Sequence, residues 1–308
     1  MGEHHRPQGH HHSGVGPGAD RRLLVGALVL LTTFLVAEVV VAVISGSLAL
    51  LADAGHMLTD VGALAGALWA MHLAAKPARG RWTFGWKRAE ILSAAVNGVT
   101  LLVVAGVVGV EAVRRLFDPP EVEGWPVLVV ALVGCVVNVA ATVLMARADR
   151  TSLNVEGAYQ HVLSDLYGFL GTAVAAVVIL TTGWVRADAI ASLVVVALMA
   201  YAGTSLLLRS GRVLLEGAPR AVDIAEVRSH LLRVEHVRDV HDLHVWNVTS
   251  DLPTISAHLI VDDSCFLDGH APQLLDQVQA CLQGHFDVEH STFQLEPDGH
   301  AAHEPGMH

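Results

Sequence analysis

The chain has 308 residues, of which 53% are hydrophobic, 16% charged and 5% aromatic, with a mean hydropathy of +0.49. A soluble domain of this length carries more charge, so composition excludes an ordinary soluble globular protein and points to a membrane protein. The formal net charge of −11 comes without any dense basic stripe, which argues against nucleic acid as a partner. The three cysteines form no CxxC pair, which argues against a thiolate metal site and a disulfide scaffold.

Residues 1–20 are rich in Gly, Pro and His without apolar periodicity and read as a disordered tail. The histidines are interrupted, which suits a metal-gathering tail better than an expression tag. The apolar run after Arg21 and Arg22 is too long for a signal peptide and lacks a small-residue cleavage site. A spanning helix needs roughly 20 predominantly apolar residues. Six stretches qualify: Leu23–Ile44, Leu48–Leu73, Ala89–Val110, Pro126–Ala146, Val155–Leu180 and Ala187–Leu208. Gly46 separates the first two, and Pro119 and Pro120 stop the third.

Lys and Arg are biased to one side of these spans, at Arg21, Arg22, Lys76, Arg79, Arg81, Lys87, Arg88, Arg147, Arg150, Arg209 and Arg212. Arg114, Arg115 and Arg186 fall on the other side, the first two among Glu111, Asp118, Glu121 and Glu123. The majority side is expected to be cytoplasmic, which puts both termini in the cytoplasm and the protein in the inner (cytoplasmic) membrane. After Arg212 the pattern changes. "DIAEVRSHLLRVEHV" and "APQLLDQVQACLQGHF" have helical spacing, whereas "HDLHVWNV", "TISAHLIVD" and "STFQLEP" read as strands. The order α-β-β-α-β predicts a small α+β domain over residues 213–297, about 85 residues and enough for a modest core. Residues 298–308 read as a second disordered tail.

Two spans contain the same motif. "HMLTD" holds His56 and Asp60, and "HVLSD" holds His161 and Asp165. A separation of four puts each pair on one helix face, a turn apart. The wider stretches "HMLTDVGALAG" and "HVLSDLYGFLG" also share a Leu and a Gly. Asp60 lies roughly 18 Å inward from Leu48, and Asp165 about 15 Å outward from Val155, at the helical rise. In a hydrocarbon core of about 30 Å both motifs meet near the midplane. Ionisable groups there are costly unless paired, solvated or bound to an ion. A single intramembrane histidine reads as an interhelical hydrogen bond. Two matched His/Asp pairs at one depth instead supply a four-ligand, tetrahedral shell with no open position for a catalytic water. The donor mixture suits Zn2+, and after it Cd2+ or Co2+, over the hard cations Mg2+ and Ca2+. Asp53, Glu38, Asn97 and Asn138 are also intramembrane, but their spacing indicates nothing sharper than helix contacts or, for Asp53, a flank of the metal path.

The stretches "SGSLALLADAGHMLTD", "FGWKRAEILSAAVNG", "HVLSD" and "HDLHVWNVTS" resemble the cation diffusion facilitator family, in particular its bacterial zinc, cobalt and cadmium efflux branch, from about Leu23 to Pro297. The resemblance implies a polytopic α-helical membrane protein with six transmembrane helices and a ferredoxin-like cytoplasmic domain. It also implies a homodimer in membrane lipid that exports metal in exchange for protons. The family's transport-site positions fall on His56, Asp60, His161 and Asp165, and a His at position 56 favours zinc. Further zinc ligands are expected in the cytoplasmic domain at His241, His258 and Glu296, with His290 as an additional candidate. A charge pair between Arg88 and Glu216 is expected to fasten the membrane part to that domain. Some members bind metal between the second and third spans, but "KPARGRWTFGWKR" contains neither His nor Asp, so no metal is expected there.

Two other classes compete with a transporter. An intramembrane metalloprotease needs an open coordination position and a general base, as in HExxH, which does not occur in this chain. A membrane-anchored metal sensor leaves the paired midplane motifs without a purpose.

Overall fold

The computed structural model describes residues 17–45, 48–119, 124–220, 222–250, 252–286 and 290–300. Six long helices come first: α1 (Pro17–Ser45), α2 (Leu48–Ala74), α3 (Ala89–Phe117), α4 (Gly124–Met145), α5 (Leu153–Thr182) and α6 (Arg186–Leu214). All six are long and apolar enough to cross a membrane. Each reaches past at least one end of its expected apolar stretch. Outside the hydrocarbon a helix continues on polar residues, as in the last turns of α3, where Arg115 Nε lies 3.0 Å from Glu111 Oε1 one turn earlier. α1 begins at Pro17, inside the stretch expected to be a tail. α5 stops at Gly183, whose φ of +71° and N–H bond to the Ile179 carbonyl form a left-handed C-terminal cap.

Leu24, Leu31 and Leu35 of α1 pack with Met57 and Leu64 of α2, Ala141 and Met145 of α4, and Val155 and Val162 of α5 in one buried cluster. α3 and α6 meet backbone to backbone. A Cβ added to Gly98 would stand 3.0 Å from the Gly203 carbonyl, and one added to Gly203 would stand 2.9 Å from the Gly98 carbonyl. Small residues permit such approach between membrane helices, where lipid supplies no hydrophobic drive to association. Outward positions such as Val103, Val107, Val136, Val174 and Val194 remain exposed on the bundle, as expected of a surface that faces lipid.

The second unit comprises α7 (Ile224–Leu231), β1 (Val237–Asn247), β2 (Pro253–Val261), α8 (Ser264–Leu267), α9 (Ala271–Phe286) and β3 (His290–Glu296). The sheet order is β1-β2-β3, with β1 antiparallel and β3 parallel to β2. A parallel neighbour requires a crossover, which α9 supplies. Ile255, Ala257, Leu259 and Val261 alternate along β2 and pack on Val227 and Leu231 of α7 and Leu274, Val278 and Leu282 of α9. The intervening residues of β2, His258 among them, therefore turn to the other face. Two local expectations differ. The helix expected through Val237 ends at Leu231, because the chain turns and His236 takes a left-handed φ of +71° before β1. The short α8 has no counterpart in the apolar pattern.

Candidate metal centre

α2 and α5 bring the two motifs together. Asp60 Oδ1 lies 2.8 Å from His161 Nε2, and ligand atoms of Asp60, His161 and Asp165 all fall within 4.8 Å of one another. The three residues are 2%, 3% and 8% exposed, so the cluster is shut off from water and from lipid. Asp60 Oδ2 and His161 Nδ1 are buried with no hydrogen-bond partner among the described residues. Such atoms are costly in an apolar interior and are the natural ligands of a cation. His56 lies on α2 one turn before Asp60, but its side chain, like that of Asp53, is outside the described residues.

The pairing follows from helix geometry. The Asp60–His161 contact sets an antiparallel register that also brings Ala67 opposite Asn154, where Asn154 Nδ2 donates to the Ala67 carbonyl at 2.8 Å. Extended one turn outward, this register puts position 56 opposite position 165. Two copies of His-x-x-x-Asp on antiparallel helices thus set each histidine position against a carboxylate position and keep the two carboxylates diagonal. Asn154 is 1% exposed and had escaped the sequence reading. Its signal was an amide seven residues before His161, two turns along the same face. Asn97, Asn138 and Glu38 are buried as well, and Asn138 Nδ2 donates to the Gly134 carbonyl within its own helix.

A second cluster lies on the polar face of the sheet. His241 and His258 are cross-strand partners on β1 and β2, with ring centroids 5.0 Å apart. Glu296, 1% exposed at the end of β3, stands between them, with Oε2 3.0 Å from His241 Nε2 and Oε1 2.8 Å from His258 Nδ1. The His241 Nδ1 atom is buried without a hydrogen-bond partner among the described residues. Asp242 also joins the group, with a ligand atom within 4.8 Å of those of His241 and His258. A register shift between His241 and His244, with Asp242 at φ +46°, lets two consecutive residues serve one site. Strict alternation hid Asp242 from the sequence reading. His290 is not brought to this cluster. It is at the opposite end of β3 from Glu296, with its ring 6.1 Å from that of Phe84.

Arg88 Nη2 lies 2.8 Å from Glu216 Oε1, joining the start of α3 to the chain just beyond α6. Both side chains are largely exposed, and surface pairs contribute only about 0–1 kcal/mol.

Residues 23–215 match the cation efflux transmembrane domain, and residues 219–298 match the cytoplasmic domain of cation efflux proteins. The chain is 36% identical over 294 residues to a cadmium, cobalt and zinc/H(+)-K(+) antiporter of Bacillus subtilis, covering 95% of this chain and 93% of that one. It is 41% identical over 286 residues to the metal cation efflux system protein CzcD of Cupriavidus metallidurans, covering 92% and 89%. It is 40% identical over 279 residues to the zinc transporter ZitB of Escherichia coli, covering 90% and 88%.

Proposed function

Since the chain belongs to the cation efflux family, we propose that it exports divalent metal, zinc foremost with cadmium and cobalt as further substrates, in exchange for protons. It is a multi-pass membrane transporter and not an enzyme. Relatives that match along both domains carry efflux, antiporter and transporter names, which favours neither a membrane-anchored sensor nor an intramembrane metalloenzyme. The observation that carries the reading is the buried contact of Asp60 with His161, with Asp165 beside it, deep in the bundle. His56 completes the ligand set as the fourth member. Metal enters from the cytoplasm while the imidazoles are neutral, and rocking of the bundle opens the site outward. Protons from outside then compete for the imidazoles and release the ion.

His241, His258 and Glu296, with Asp242, form a second metal site that acts as regulator. Their donors fit zinc: two imidazoles and one or two carboxylates. His290 belongs to it only if β3 rearranges. Arg88 and Glu216 anchor the chain that leaves α6 for the cytoplasmic domain to the start of α3. The protein works as a homodimer in the inner membrane with both termini cytoplasmic, the Lys/Arg side of the bundle facing inward. The His-rich residues 1–16 lie outside the described residues and gather metal for the intake side. The deciding experiment is zinc flux into sealed inside-out vesicles with and without an imposed pH gradient. Zinc accumulation driven by an acidic lumen is expected, and zinc uptake indifferent to the gradient would remove the proton exchange.

A further inference from the structure

The start of α5 is capped in an unusual way. The first N–H groups of a helix have no partner within it, and a Ser at the position before the helix normally supplies one. Ser152 occupies that position with extended backbone, yet its hydroxyl makes no cap bond and is buried without a partner among the described residues. The acceptor comes instead from the far end of the chain. Ser250, in the turn between β1 and β2, accepts from the Leu153 N–H at 2.9 Å and donates to Glu90 Oε1 at 3.2 Å. One hydroxyl thus ties the cytoplasmic domain to the first turns of both α5 and α3. The turn that holds it is closed by the Val248 N–H on the Leu252 carbonyl at 3.0 Å.

The two ends of this link are informative. α5 carries His161 and Asp165, two and three turns above Leu153. β1 carries His241 and runs directly into the turn that holds Ser250. We propose that Ser250 is a positioning residue for transport: the cytoplasmic domain caps the helix that bears half of the metal ligands, so that movement of the β1–β2 turn is passed to α5. The inference rests on the reading of His161 and Asp165 as transport ligands. It does not require metal at His241 and His258. The pair of Arg88 and Glu216 holds the neighbouring ends of α3 and α6, a separate link.

The test uses the full chain, with zinc flux measured in inside-out vesicles and zinc binding measured on the detergent-solubilised protein. Ser250→Ala should lower maximal zinc flux roughly three- to tenfold, the scale of a lost N-terminal cap, with zinc binding unchanged. Ser250→Thr keeps the hydroxyl and should recover most of the flux. Ser152→Ala should match the wild type in both measurements, since its hydroxyl makes no bond. Wild-type flux in Ser250→Ala overturns the proposal. So does equal loss in the Ala and Thr variants, or a fall in zinc binding that parallels the fall in flux, because each marks a merely structural role. Asp60→Ala distinguishes the two layers. Its loss of flux beside full flux in Ser250→Ala overturns this inference alone, whereas full flux in Asp60→Ala overturns the transport-site reading and this inference with it.

Discussion

Asp60 and His161 hold each other at 2.8 Å while one further polar atom of each stays buried and finds no partner among the described residues. The pair satisfies itself only in part, which a bound cation corrects. Asp60→Ala should therefore yield folded protein whose zinc affinity falls by at least the roughly 10–100-fold that loss of an outer partner costs a metal site. Calorimetric zinc titration beside a monodisperse elution profile checks this, and wild-type affinity would remove Asp60 from the ligand set. His56→Asp turns two imidazoles and two carboxylates into one and three, which should weaken the preference for zinc over manganese. Protons compete with metal at imidazole, so affinity falls as pH drops through the imidazole range. With one imidazole fewer, that fall should be shallower near neutral pH. Zinc and manganese uptake across a pH series decides, and an unchanged metal preference together with an unchanged pH profile would exclude His56 as a ligand.

Among the helices, α2 and α5 are joined on the cytoplasmic side of the Asp60–His161 contact by a hydrogen bond from Asn154 Nδ2 to the Ala67 carbonyl. Asn154→Ala should destabilise the bundle by about 0.6 and at most about 1.7 kcal/mol, the range for such bonds in membranes. Equilibrium unfolding in mixed micelles provides the measurement, and a value near zero would mean that packing alone sets the register. The six spans were legible because lipid demands long apolar helices, and the twin motifs because charge there is rare. Helix ends were less legible from hydropathy, which gives no mark for α6 running past Leu208 to Leu214, whereas Pro119 and Pro120 did signal the end of α3 at Phe117. The left-handed His236 and the irregular register at Asp242 were invisible for a related reason: both are imposed by the closing of the sheet, not by local pattern. Ser250 as a cap for Leu153 could not be read either, because its partner is 97 positions away.

At the scale of the molecule, the proposed function makes metal gathering and metal movement separable. Deleting residues 1–16 should reduce zinc uptake at limiting zinc and leave the rate at saturating zinc within about twofold, because on the proposed reading these histidines contribute local metal concentration and no ligand of the cycle. Vesicle flux over a zinc series tests this, and abolished transport at saturating zinc would show that the tail takes part in the cycle. The whole bundle must also choose how to move, and the register of α2 against α5 restricts that choice. A ratchet of α5 by one turn in one direction would set Asp165 against Asp60, carboxylate facing carboxylate. One turn the other way would leave Asp60 facing Gly157, which has no side chain to offer, and set position 56 against His161. Either slip also strands the Asn154 amide away from the Ala67 carbonyl. Screw-like sliding along the helix axes is thus an electrostatic dead end at every step of one turn. With the proposed site filled, the remaining freedom is a tilt of the helices about the ion, with the cargo as the fulcrum.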